Sequence, residues 1–241
     1  MPEPTALLAL PGLGLGPEAW RPTLEHLTAA GDRRADVLVC PGYGAPAHPR
    51  RDLDPRAIAE AALARLPAGD SRVVLLGHSA SSQLVAHLAR LDPARVAGLV
   101  LVGPTTDPRA ATWPRLQARW LATAVHETPQ QVPALARQYT RTTFRAMARA
   151  LDAARHDAIL ETLDAVSAPV LVIRGPLDRI CPADWADKVA ASGGSGSRHV
   201  TLAAGAHMVP LTHGHLVADA VAGFLTELDQ QDASDQPAQL S

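Results

Sequence analysis

Six short apolar runs recur along the chain, at residues 5–10, 36–40, 73–77, 96–102, 169–174 and 199–202. Each is shorter than an ordinary helix, and most give way at once to glycine or proline, so each predicts a strand buried inside a sheet. Between them the period changes. Trp20, Leu24 and Leu27 within residues 18–30 repeat at helical spacing, as do Leu84, Val85, Leu88 and Leu91 after the third run, a helix that must end before Pro93. Residues 54–66 predict a third helix, with Asp54 as N-cap, Pro55 in the first turn and Pro67 closing it. Two more follow at 185–191 and 214–228. Strands alternating with helices predict an α/β fold whose mostly parallel sheet is covered on both faces.

Residues 105–167 break the alternation. They contain no convincing strand but two or three helical stretches, around 114–123, 129–141 and 143–163, and they hold Trp113, Trp120, Tyr139 and Phe144, half of the eight aromatic residues. The chain therefore divides into a core, 1–104 with 169–229, and a helical insertion, 105–168. Residues 192–197, Ser-Gly-Gly-Ser-Gly-Ser, read as a flexible loop, and the polar residues 230–241 as a disordered tail.

Composition narrows the function. With 241 residues, 47% hydrophobic and 19% charged, and a net charge of -2, the chain suits one soluble globular domain and offers no basic face for nucleic acid. Two cysteines, Cys40 and Cys181, are too few for a disulfide framework. The start, Met1-Pro2-Glu3-Pro4, lacks the basic flank of a signal peptide, and no apolar stretch approaches the roughly 20 residues of a membrane span. A cytoplasmic setting is expected, and no oligomeric state follows from these properties.

The densest chemistry lies at residues 72–83. The apolar run stops at Gly77-His78-Ser79-Ala80-Ser81 and a helix begins within a few residues, the context of a Gly-x-Ser-x-Gly elbow that lifts a serine above the end of a sheet. Ser81 stands where the last glycine belongs, and its side chain is only slightly larger. A serine needs a base, and the base an orienting group. Asp178 follows the fifth run and His207 the sixth, both at strand ends where reactive groups collect in parallel sheets. Alternatives exist for each. Asp107 is a second candidate acid, Asp178 could instead cap the next helix or pair with Arg179, and His199, His213 and His215 compete with His207. His78 is expected to pack or hydrogen-bond locally. The ten histidines show no metal-ligand spacing, and Gly12, Gly14 and Gly16 fit no nucleotide-binding fingerprint, so neither metal nor cofactor is expected.

With Gly77-His78-Ser79-Ala80-Ser81, Gly175-Pro176-Leu177-Asp178 and Gly205-Ala206-His207 in this order, residues 5–228 resemble the α/β-hydrolase fold family, in particular its small esterase-like members with a helical cap. The resemblance implies Ser79 as nucleophile, Asp178 as orienting acid and His207 as general base. It also implies an oxyanion hole from the backbone N–H groups of Ala80 and Leu13, where Pro11-Gly12 stands in place of a common His-Gly. The expected partner is a small hydrophobic ester or thioester, with Trp113, Trp120, Tyr139 and Met208 as candidate pocket residues. Arg141, Arg145 and Arg149 share a helix face that is either solvated or an anion contact. The same scaffold could instead serve C–C bond hydrolysis, a cyclase or lyase, or simple binding.

Overall fold

A computed structural model describes residues 5–29, 33–66 and 72–235; Met1-Pro2-Glu3-Pro4, the Pro67 expected to close a helix and residues 236–241 lie outside them. Six parallel strands form one sheet in the order β2 (Ala35–Val37), β1 (Ala6–Leu10), β5 (Val73–His78), β6 (Val96–Val102), β7 (Val170–Arg174) and β8 (Arg198–Thr201). The chain starts in β1 (Ala6–Leu10) and passes through α1 (Arg21–Ala29) to the edge strand β2 (Ala35–Val37). The second apolar run predicted one strand over 36–40. It divides instead, because the chain turns at Cys40–Tyr43 to make the minute pair β3 (Cys40–Pro41) and β4 (Gly44–Ala45). After α2 (Pro55–Ala62) the chain crosses to the other side of β1 and lays down β5 (Val73–His78), α3 (Ser81–Leu91) and β6 (Val96–Val102). Asp54 caps α2 as expected, its carboxylate accepting from the Arg56 and Ala57 N–H groups.

Residues 105–168 carry four helices: α4 (Trp113–Ala124), α5 (Val132–Thr142), α6 (Phe144–Ala154) and α7 (Ile159–Leu163). The helix expected over 143–163 is broken after Ala154, where Asp157 turns inward to accept from His87 Nε2 of α3 at 2.7 Å. Strand β7 (Val170–Arg174), α8 (Ala183–Ala191), β8 (Arg198–Thr201), the single turn α9 (Val209–Thr212) and α10 (Gly214–Asp235) complete the core. Helix α10 extends to Asp235, so residues 230–235, expected in the tail, are helical instead: nothing between Leu228 and Asp235 breaks a helix.

Alternation along the strands fills both faces of the sheet. Leu8, Leu75, Leu99 and Val172 point to α2, α3 and α8, whereas Leu7, Val74, Val100 and Ile173 point to α1 and α10, with Trp20 and Phe224 fully buried on that side. A sheet sealed this way is rigid, and every loop leaving a strand's carboxyl end emerges on the same edge. No described helix is long and apolar enough to cross a membrane.

Candidate active site

The elbow is built by close approach. At Gly77 an added Cβ would sit 2.8 Å from Val85 Cγ2 and 2.9 Å from Ser81 O, so strand and helix can meet at this angle only with glycine there. Ser79 then takes φ 57°, a left-handed conformation costly for a side-chain-bearing residue, and its N–H is held by Val102 O at 2.8 Å. Ser81 does more than fit. Fully buried, its Oγ accepts from His78 N at 2.8 Å and its proton faces Leu10 O at 2.7 Å, with His78 O at 2.9 Å. Leu10 O also accepts from Trp20 Nε1 at 3.0 Å. The loop after β1, which lacks a bracing histidine, is thus pinned at its start by a hydroxyl that glycine would not supply.

Three loops bring the chain's candidates together. His207 Nε2 lies 2.8 Å from Ser79 Oγ, and His207 Nδ1 lies 2.8 Å from Asp178 Oδ2. The other oxygen of Asp178 accepts from Ile180 N at 2.8 Å and Cys181 N at 3.0 Å. Burial works against the Asp178 carboxylate, but the charge and hydrogen bond of His207 and the N–H groups of Cys181 and Ile180 outweigh it and hold its pKa below the ordinary value. Burial likewise opposes a charged His207, yet the Asp178 charge and hydrogen bond, with the Glu127 charge added, hold its pKa above the ordinary value. Gly103, at the end of β6, makes room for the pair. It has φ 58°, and a Cβ there would meet His207 Nδ1 at 2.9 Å and Asp178 Oδ2 at 3.1 Å.

The competitors fall elsewhere. Asp107 is buried but bound to Arg109 and Arg119, His199 pairs with Asp187 on the sheet edge, and His213 is held by Thr212. His78 packs as expected, buried with its ring edge-on to Trp20, but its ring hydrogen bond is not local: the partner is His207 O, 3.0 Å from His78 Nε2. Burial, and the neighbouring His207 charge, push its pKa down to about 3, so its Nε2–H donates to that carbonyl as a neutral ring. Among the described residues, neither Leu13 N–H nor Ala80 N–H has a hydrogen-bond partner, and both residues line the cavity above Ser79.

That cavity, about 530 Å³, opens between the strand ends and helices α4 to α6. Of the four predicted pocket residues, Trp120, Tyr139 and Met208 line it and Trp113 does not. Trp113 begins α4 on the outer face, 45% exposed, with the Arg155 guanidinium 5.1 Å over its ring. Among the described residues no arginine or lysine lines the cavity: Arg141 pairs with Glu18, and Arg149 donates to the carbonyls of His48 and Arg51. The expected shared helix face does not form: Arg141 ends α5 whereas Arg145 and Arg149 lie on α6, the chain turning between them at Thr143, and none of the three lines the cavity. Among the described residues the cavity's single carboxylate is Glu127, which sequence periodicity did not single out; it sits in the short turn after α4 and gives no signal of its own in the chain. Among the described residues, no group of three or more His, Cys, Asp or Glu gathers as a metal site would.

A parallel sheet with a serine elbow, an acid and a histidine on successive strand ends, under a helical insertion, defines an α/β hydrolase. The chain belongs to the alpha/beta hydrolase family, whose model matches residues 7–220. Among curated proteins it is similar to a pimeloyl-[acyl-carrier protein] methyl ester esterase of Aromatoleum aromaticum, 36% identical over 114 residues; the match spans 45% of this chain and 43% of that protein's length. Solved structures with a similar fold include a hydrolase from Oleispira antarctica, at 18% identity and TM-score 0.77 over 94% of this chain and 92% of that one. An esterase from Exiguobacterium antarcticum is similar at 16% identity and TM-score 0.74, over 92% of both chains.

Proposed function

We propose that this hydrolase cleaves a carboxylic ester or thioester with an apolar acyl group, through an acyl-enzyme on Ser79. The observation that carries this reading is the unbroken relay from Asp178 through His207 to Ser79, at 2.8 Å for each link, on the floor of an apolar cavity. His207 Nε2 takes the Ser79 proton as Oγ attacks the carbonyl carbon, and Asp178, ionised throughout, stabilises the imidazolium. The oxyanion accepts from the free N–H groups of Ala80 and Leu13. His207 then donates its proton to the departing alkoxide or thiolate. Water, deprotonated by the same nitrogen, attacks the acyl-enzyme and releases the acid, restoring Ser79. The esterase names among its relatives support an ester over other acyl compounds, and the absence of cationic side chains from the cavity supports an uncharged acyl group.

Hydrolysis of p-nitrophenyl esters under pre-steady-state conditions tests the reading. A burst of p-nitrophenol matching the enzyme concentration is expected from the wild type, and Ser79→Ala should lose at least a thousandfold in kcat. Wild-type turnover by Ser79→Ala would end it.

A further inference from the structure

The loop that carries His207 is held from outside the catalytic relay. Glu127 Oε1 accepts from His207 N at 2.8 Å and from Met208 N at 2.9 Å, although it lies 80 residues earlier in the chain. Its second oxygen, Oε2, accepts from Gln131 Nε2 at 2.9 Å. On the opposite side of the same peptide, His78 Nε2 donates to His207 O at 3.0 Å. The main chain of His207 is thus gripped by its N–H from the helical insertion and by its carbonyl from the elbow. Thr123, one helical turn earlier than Glu127, accepts from Arg179 N at 3.0 Å, so one short stretch of the insertion holds both the acid loop and the base loop.

Resting on the acyl-transfer reading, we propose that Glu127 is a positioning residue for His207: it fixes the imidazole against Ser79 through the main chain and places a negative charge behind the ring. Two features separate this from a plain tether between insertion and core. Two N–H groups converge on one oxygen, the geometry of a small anion site, and ionised acceptors bind N–H groups about twice as strongly as neutral ones. Moreover, among the described residues Glu127 is the only acidic side chain lining the apolar cavity, and it is half-buried there, so its charge is screened less than that of a surface carboxylate. The groups facing the His207 ring are Asp178, the neutral His78 and the Ser79 hydroxyl, with Glu127 behind the main chain and Tyr139 of α5 lining the same cavity as Glu127.

Glu127→Gln keeps an oxygen acceptor for both N–H groups and removes the charge; Glu127→Ala removes both. The readouts are the His207 imidazole titration followed by NMR in the resting protein, the acid limb of kcat/KM against pH with p-nitrophenyl butyrate, and thermal melting. In Glu127→Gln the His207 titration and the acid limb should both move down by about half a pH unit, with kcat lower by about threefold and KM little changed. Glu127→Ala should lose about tenfold or more in kcat as the imidazole loses its register with Ser79. A Glu127→Gln protein whose histidine titrates where the wild type's does, with unchanged kcat, would reduce Glu127 to a tether and overturn the proposal. Because the NMR titration needs no turnover, a downward shift in a protein that hydrolyses no ester would uphold the role of Glu127 and sink the proposed reaction instead.

Discussion

Gly103 and Ser81 show how much of this site rests on residues that do no chemistry. Gly103→Ala would force a methyl group against both His207 and Asp178 in a backbone conformation that alanine resists, so it should lower kcat/KM by about a hundredfold while the fold persists. A loss under threefold would mean that the pair moves freely. Ser81→Ala leaves His78 N–H without its acceptor and Leu10 O with Trp20 alone, at a cost of about 1–3 kcal/mol in chemical denaturation. That Ser79, Asp178 and His207 meet was readable because each follows a buried apolar run, and the proposed chemistry needs all three on one edge. Gly103 looked like any strand-ending glycine, since its need is set by two loops that meet over it only in three dimensions. The elevated pKa of His207 has a direct consequence. As the proposed base, His207 stays protonated to a higher pH than a free histidine, so kcat/KM should reach half its plateau above the ordinary value of about 6.5. A midpoint below 6 would contradict the electrostatics described.

At the scale of elements, the core strands and helices were legible and the insertion only partly so. A buried parallel strand announces itself by an unbroken aliphatic run, but a cap helix with several apolar faces does not say which one meets the cavity. Trp113 and Trp120 lie two turns apart on α4 and part company: one stacks under Arg155 outside, the other lines the pocket. Steady-state kinetics should separate them, with Trp113→Ala leaving KM within twofold and Trp120→Ala raising it about fivefold or more for a hydrophobic ester. Helix α5 also grips the loop after β1. Gln138 Oε1 accepts from Gly16 N at 2.7 Å, and Thr142 Oγ1 donates to Gly14 O at 3.2 Å. Those bonds join segments more than a hundred residues apart, and no local pattern foretells them.

For the whole molecule, the division of labour is spatial. The sheet and its two apolar layers fix where three loops emerge, and the insertion closes over them to form a cavity of about 530 Å³ with scarcely any charge. Each methylene buried there contributes about 0.8 kcal/mol, so kcat/KM should rise about fourfold per added carbon in short acyl esters until the cavity is filled. A series that is flat from acetate to octanoate would argue that the acyl chain lies elsewhere. The central claim, that Ser79 is the nucleophile, is tested most directly by treating the protein with a fluorophosphonate and mapping the adduct by peptide mass spectrometry. One adduct per chain is expected, on Ser79, absent from Ser79→Ala and strongly slowed in His207→Ala. A wild-type protein left unlabelled, or labelled at another residue, would contradict it.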